Sequence, residues 1–598
     1  MKMNRIPIKD TLKNFLALKE YFIRNRWSLS VGLVSLLAVD LLQLLIPLVI
    51  KRAIDTLTTK TATSIILLRY GMVIMAIALA MAVLRYVWRH FLFGLSRKIE
   101  QGLRNRLYIH LQALSFSFYQ RTKTGDLMAR AINDINAIRM ATGMGLVALT
   151  DGMVLGLAAI GFMVYINPYL TLISLIPAPI LIYLTSILAR RMSSGYERVQ
   201  ATFSELTERV REAFAGIRII KAYSRESWAY ERVGREGETY VSENMQLART
   251  FAFFFPIMAI FTNLGLAIVI WLGGRLTILG HITTGDFVAF ISYLNLLTWP
   301  MMAIGWVTNL IQRGSASMRR INQILDEVPE IVSASPIQAD MEIKGGMEFR
   351  EVGLKYPGQP GEALKGISLT IRAGQTVALV GRVGSGKSTL LQTLPRLFDL
   401  PGDSIFVDGI DIHDIPLQTL RESMGFVTQE VIIFSDTIRN NVIFGREGIS
   451  EETLVQALKT AQIYDEVMSL EKGLDTLLGE RGITLSGGQR QRLSIARAII
   501  SNPPILIMDD ALSMVDTRTE ERILNQILLS RKGKTNLIVS HRLSTISRAD
   551  IIVVLDGGKL AEVGDHKTLL ERGQEYTKIY RRQLLAQELE MGMGNRVI

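Results

Sequence analysis

The feature that most limits how this chain can fold is a set of six apolar stretches in its first half. They lie near residues 28–50, 65–88, 140–166, 168–189, 251–273 and 285–311. Each is long enough to cross about 30 Å of hydrocarbon at about 1.5 Å per residue, and a helix satisfies its own backbone polar groups in lipid. Six helical spans are therefore expected. At 598 residues the chain exceeds what one core can organise, so at least a second domain is expected after the spans. The net charge of +12 fits an anionic membrane surface better than nucleic acid, because the basic residues cluster beside the apolar stretches. With no cysteine, the chain has no disulfide, thiolate zinc site or cysteine nucleophile.

Orientation follows from charge at the span ends. Lys9, Lys13 and Lys19 precede span one, Arg85, Arg89, Arg97 and Lys98 follow span two, and Arg190 and Arg191 follow span four. Those ends belong in the cytoplasm. The segment "LKNFLALKEYFIRNRW" reads as an interfacial helix with Phe15, Leu18 and Phe22 on one face, and no cleavable signal precedes it. Asn167–Pro168 must be a tight turn between spans three and four. About fifty residues separate spans two and three, and about sixty separate four and five. These long connections read as solvated helical hairpins whose apolar residues Phe118, Tyr119, Phe214 and Tyr223 need a protein partner. Asp40 and Asp151 fall inside spans, where each carboxylate costs about 2.5–3.5 kcal/mol. Asp40, Gln43 and Pro47 share a helical face: an interhelical hydrogen bond, or a polar stripe for cationic or zwitterionic cargo.

The division read from these patterns is an entry helix at 1–27, a transmembrane domain at 28–325, a linker at 326–344, a soluble domain at 345–580 and a tail at 581–598. In the soluble part the apolar strand "TVALVG" runs into "GRVGSGKST", residues 381–389. Gly381, Gly384 and Gly386 let the backbone curl so that its N–H groups, with those of Ser385 and Thr389, face a phosphate. Lys387 can then reach the β- and γ-phosphates, and Ser388 can ligate Mg²⁺. The buried strand "ILIM" ends at Asp509, a second magnesium ligand, and "NLIVSHRLST" puts His541 at another strand end, near the γ-phosphate. Ser486, Gly487, Gly488 and Gln489 open a helix and form a second phosphate cradle. Two cradles in one chain suggest a nucleotide site shared between two chains.

Taken together, these motifs resemble the ABC exporter family over essentially the whole chain: a half-transporter of the multidrug type, with a six-helix transmembrane domain fused to an α/β P-loop ATPase domain carrying an antiparallel β subdomain. "GRVGSGKST" matches the Walker A loop, "ILIMD" Walker B, "LSGGQ" the signature, and "SMVD" at 513–516 the D-loop. The resemblance implies that Gln429 is the Q-loop residue, touching metal and attacking water, that His541 is the switch histidine, and that Tyr356 stacks on adenine. "TLLGERG" at 476–482 resembles the exporter-specific X-loop. It also implies two chains sandwiching two ATP molecules, with the long loops acting as coupling helices resting near Gln429.

The family's residue after the Walker B aspartate is a glutamate that polarises the attacking water, and here it is Asp510. One methylene fewer retracts the carboxylate by about 1.5 Å, and a misplacement near 1 Å costs about 100-fold in rate. With an intact signature, this is the pattern of the degenerate-site subunit of a bacterial heterodimeric exporter. The expected cargo is a small amphiphile, drug or lipid, and the expected location is the cytoplasmic membrane. The alternatives are a homodimer, a lipid or lipid-linked precursor flippase, and a mainly regulatory ATP-binding subunit.

Overall fold

A computed structural model describes residues 13–333, 342–356, 360–479, 485–540 and 542–594. The chain forms two compact units, Met1–Gln112 with Thr124–Glu327, and Ala113–Lys123 with Val328–Ile598.

The first unit is helical. Among the described residues, six helices are long and apolar enough to cross a membrane: Arg26–Thr58, Ser64–Ala113, Thr124–Ile166, Pro168–Ala215, Glu226–Ile278 and Thr284–Leu325. The expected turn between the third and fourth is present, and its cause is local. Asn167 accepts a hydrogen bond from the Leu170 N–H at 2.9 Å, and Pro168 occupies the first helical position, where no donor is lost. At the start of the sixth helix Thr283 and Asp286 form a capping box, and Lys51 of the first helix pairs with Asp286 at 2.5 Å. Gly285 lets these two helices meet: its N–H donates to Asp55 Oδ1 at 2.8 Å, and a Cβ there would sit 2.3 Å from the Lys51 carbonyl oxygen.

The other end of the sixth helix is tied by charge. Arg320 Nε donates to Asp134 Oδ2 at 2.8 Å and Ser317 Oγ donates to Asp134 Oδ1 at 2.9 Å, so the buried carboxylate is satisfied from one helix face. The entry segment is held there as well, through Asn14 Nδ2 to Ser315 Oγ at 2.9 Å. On the expected interfacial face Leu18 is fully buried and Phe15 and Phe22 are half-buried, whereas Leu16, Ile23 and Trp27, outside that face, are exposed.

Asp40 departs from the expected cargo stripe, because it is completely buried within this unit. Asp151 accepts the Trp299 indole N–H at 2.8 Å, which makes that acid an interhelical contact. Phe214 and Tyr223, at the tip of the second long hairpin, are exposed in the single chain.

The second unit contains two sheets. Strands β1 (Met347–Leu354), β2 (Leu364–Ile371), β4 (Ile405–Val407) and β5 (Ile410–Asp411) form an antiparallel sheet in the order β2-β1-β4-β5. Strands β3 (Thr376–Val380), β6 (Met424–Val427), β7 (Ile505–Asp509), β8 (Thr535–Val539), β9 (Ile551–Asp556) and β10 (Lys559–Gly564) form the larger sheet, ordered β10-β9-β3-β8-β7-β6. All its pairings are parallel except β9 with β10. Every residue of β7 and β8 is buried, which explains their unbroken apolar runs: a strand covered on both faces has no polar side to alternate with. Residues 113–123, from the first long loop, belong to this unit. Phe118 is buried there, which supplies the protein partner its sequence demanded.

Replacing Gly285 with Ala should destabilise the first unit by about 1–3 kcal/mol, the usual cost of overpacking. Thermal unfolding of the detergent-solubilised chain checks this, and an unchanged midpoint would contradict the close approach described.

Candidate nucleotide site

Neighbouring strands β3, β8, β7 and β6 all point their carboxyl ends the same way, and each is followed by a residue singled out from sequence. The glycine loop follows β3, Asp509 and Asp510 close β7, and Gln429 follows β6. Ligands of open α/β sheets collect at this edge. His541 follows β8 but lies outside the described residues, as do Glu480, Arg481 and Gly482 of the X-loop resemblance.

The loop's backbone shape is what its glycines permit. Gly384 and Gly386 have φ of 81° and 99°, in the left-handed region that L side chains avoid. At Gly381 a Cβ would lie 2.3 Å from the Leu555 carbonyl oxygen and 2.6 Å from Ser385 Oγ. Lys387 is buried in the curl and donates to the carbonyls of Gly381 at 2.8 Å and Arg382 at 2.9 Å. Burial pushes its ammonium below the usual lysine range, opposed by the negative charges of Asp509 and Asp510. The loop carbonyls thus hold the cation that a phosphate is expected to take.

Ser388 Oγ donates to Asp509 Oδ1 at 2.8 Å, joining the end of β7 to the glycine loop. Asp509 is buried, and burial, with Asp510 adding to it, raises its carboxyl above the ordinary range despite Ser388 and Lys387. A hydroxyl and a carboxylate in contact suit Mg²⁺, which takes hard oxygen ligands and keeps waters and phosphate oxygens for its other positions. Among the described residues there is no cluster of three or more carboxylate or histidine ligands, and this mode of binding does not need one. Gln429, two residues beyond β6, is exposed.

Asp510 takes φ of 48°, so the chain leaves β7 through a left-handed residue. Asp tolerates that conformation better than longer side chains do. The residue borders a cavity of about 220 Å³ that also meets Ser513, Glu520, Ser540 and Arg542. Tyr356 donates or accepts through its hydroxyl to Thr389 Oγ1 at 3.0 Å, placing the ring beside the loop helix.

The second cradle, Ser486 to Gln489, is a closed capping box. Gln489 N–H donates to Ser486 Oγ at 3.2 Å, and Ser486 N–H donates to Gln489 Oε1 at 2.8 Å. Gly487 and Gly488 are backed by Met514, whose carbonyl oxygen would meet a Cβ on Gly488 at 2.9 Å. Gln491, which sequence reasoning missed, holds the D-loop to this helix by accepting from the Met514 N–H at 2.8 Å and donating to Ser513 Oγ at 3.1 Å. Arg542 was missed as well. It pairs with the buried Glu520 and donates to the Val515 carbonyl at 2.8 Å. Its one sequence signal was adjacency to His541.

Burial holds the Glu520 carboxyl above the usual range, and Arg542, Thr545 and Asp510 adjust it in opposite senses. A raised folded pKa contributes stability that is complete below the unfolded value and lost as pH rises through the folded one. Arg542→Met removes the main compensating charge and raises that pKa further. The variant should lose about 3 kcal/mol, the order expected for breaking a buried pair, and its stability should fall more steeply than the parent's as pH rises above the ordinary carboxylate range. Unfolding midpoints of both proteins across that rise check the sign, and a constant difference would contradict it.

Comparison with known proteins agrees with this geometry. Residues 29–301 match the family "ABC transporter transmembrane region" and residues 364–513 the family "ABC transporter". The chain is 36% identical to the probable multidrug resistance ABC transporter ATP-binding/permease protein YheI of Bacillus subtilis, over 96% of this chain and 98% of that one. It is 35% identical to the multidrug resistance-like ATP-binding protein MdlA of Escherichia coli, over 98% and 99%. An ATP-dependent lipid A-core flippase of Syntrophus aciditrophicus is 38% identical over 82% of this chain and 81% of its own. Among solved structures, a bacterial Atm1-family ABC exporter with ATP bound superposes with a TM-score of 0.76 at 26% identity, covering 94% of this chain and 99% of that one. The chain belongs to the ABC exporters, multi-pass membrane proteins that couple ATP hydrolysis to transport.

Proposed function

We propose that this chain is one half of a heterodimeric exporter of small amphiphilic molecules, and that its own Walker site binds ATP with Mg²⁺ but hydrolyses it slowly. The observation that carries this is Asp510. Its carboxylate is one methylene short of the family's glutamate, and the backbone that bears it takes a left-handed φ of 48°. The Ser388–Asp509 contact and the position of Lys387 at the glycine loop support ATP and Mg²⁺ binding, which leaves water activation as the step that Asp510 weakens. The intact capping box at Ser486 to Gln489 would complete a competent site on a partner that carries the glutamate. The exposed Phe214 and Tyr223 support a second subunit, because large aromatics at a solvated hairpin tip are the kind of apolar surface that a protein partner covers.

In this reading Ser388, Asp509 and Gln429 hold the metal, Tyr356 stacks on adenine, and the loop from Gly381 to Thr389 binds the phosphates. His541 contacts the γ-phosphate. The bound metal supplies charge neutralisation at the β- and γ-oxygens. The N-terminus and ATP-binding domain face the cytosol of a bacterial cell, with the spans in the cytoplasmic membrane. The multidrug relatives support drug cargo, and the flippase relative gives lipid cargo comparable support.

Single-turnover ATPase on the purified chain alone tests the reading. The unmodified chain should be slow, and Asp510→Glu should accelerate it by about 100-fold if geometry is restored. Brisk hydrolysis by the unmodified chain alone would sink the degenerate site and leave the homodimer.

A further inference from the structure

The aromatic side chain of Phe398 belongs to no motif, yet it stands between two functional elements of one unit. It is 6% exposed, within a turn that follows the glycine-loop helix Lys387–Thr393. That turn is fixed by Arg421, which donates from Nε to the Pro395 carbonyl at 3.0 Å and from a terminal nitrogen to the Arg396 carbonyl at 3.1 Å. On one side the Tyr356 ring meets Phe398 edge-on, with centroids 5.3 Å apart and planes at 82°. On the other side Phe116 does the same, at 5.6 Å and 76°. Both geometries are the favoured T-shaped arrangement.

Phe116 begins the short helix Phe116–Arg121 in the first cytosolic loop. That helix is secured to the same unit at two further points. Ser115 Oγ accepts the Ile331 N–H at 3.1 Å, and Ser117 Oγ donates to the Glu330 carboxylate. The resemblance to ABC exporters placed the coupling helices near Gln429. The partners found for this one are Glu330, Ile331 and Phe398.

We infer that Phe398 is a positioning residue that makes the first cytosolic helix sensitive to the base of the bound nucleotide. The inference rests on the reading of Tyr356 as the adenine-stacking residue. A base stacked on Tyr356 covers a face of a ring that is otherwise held by Thr389 at its hydroxyl and by Phe398 at an edge-on contact. A fixed Tyr356 fixes the edge that Phe398 packs on, and Phe398, immobile in its pinned turn, holds Phe116 in turn. The phosphate-binding loop meets this row only where Thr389 Oγ1 touches the Tyr356 hydroxyl and at no ring face, so phosphate and base deliver separate signals: the phosphates close the loop, and the base stiffens the helix.

The test is amide hydrogen exchange at residues 115–121 of the full-length protein in detergent, with ATP·Mg²⁺ or tripolyphosphate·Mg²⁺ at saturating concentration. ATP should slow exchange by about two- to tenfold, the factor equivalent to one aromatic pair, and tripolyphosphate should not. Phe398→Leu should erase the ATP effect while leaving ATP affinity within about threefold, and Phe398→Tyr should restore it. Phe116→Leu, at a ring 39% exposed and outside the ATPase core, should erase it too, which separates loss of the relay from damage to folding. Tyr356→Ala should lose both ATP affinity and the exchange response. Full ATP protection in Phe398→Leu, or equal protection by tripolyphosphate, would overturn the relay. Unchanged ATP affinity in Tyr356→Ala would instead overturn the adenine assignment beneath it.

Discussion

The hydrogen bond from Ser388 to Asp509 organises the rest of the nucleotide half, because it joins two elements that are far apart in sequence and must act at one point. The glycine loop supplies donors for phosphate, and β7 supplies a carboxylate for the metal. Neither can work unless β3 and β7 bring them to the same edge, with β8 between them. The parallel order of these strands does this, and the burial of every residue in β7 and β8 makes the arrangement rigid. Asp510 inherits its place from that geometry. It follows Asp509, the proposed metal ligand at the end of β7, so its reach is set by side-chain length and by the turn its backbone makes.

The D-loop belongs to the same argument. Gln491 holds Ser513 and Met514 to the signature helix, and Arg542 holds Val515 to the segment after β8. A loop fixed on both sides cannot move without moving the helix that begins at Gly487 or the segment after β8. In the proposed heterodimer, two sites that share such a loop would be mechanically linked even when only one of them hydrolyses ATP. That would give a slow site a use: reporting occupancy without turning over.

Much of this was legible in the sequence, for identifiable reasons. Strands buried on both faces read as continuous apolar runs, so β3, β7 and β8 announced themselves, and the glycine loop is a local pattern with a local cause. The six spans were visible because lipid leaves so few alternatives. The positions that escaped notice depend on contacts between distant segments. No local signal in "LPRLFDL" shows that Phe398 faces both Tyr356 and Phe116, or that Gln491 reaches the D-loop. The burial of Asp40 was hidden for the same reason, since helical periodicity shows which residues share a face and not what that face meets. The left-handed backbone at Asp510 was also invisible, because Asp occurs in many conformations and only the exit from β7 selects this one.

The central claim is that this chain holds ATP without cleaving it while a different subunit does the hydrolysis. Photolabelling during turnover measures this directly, using azido-ATP carrying label on either the α- or the γ-phosphate and resolving the two subunits afterwards. The account predicts that this chain keeps γ-label in proportion to α-label while its partner loses it. Equal and rapid loss of γ-label from both would contradict it.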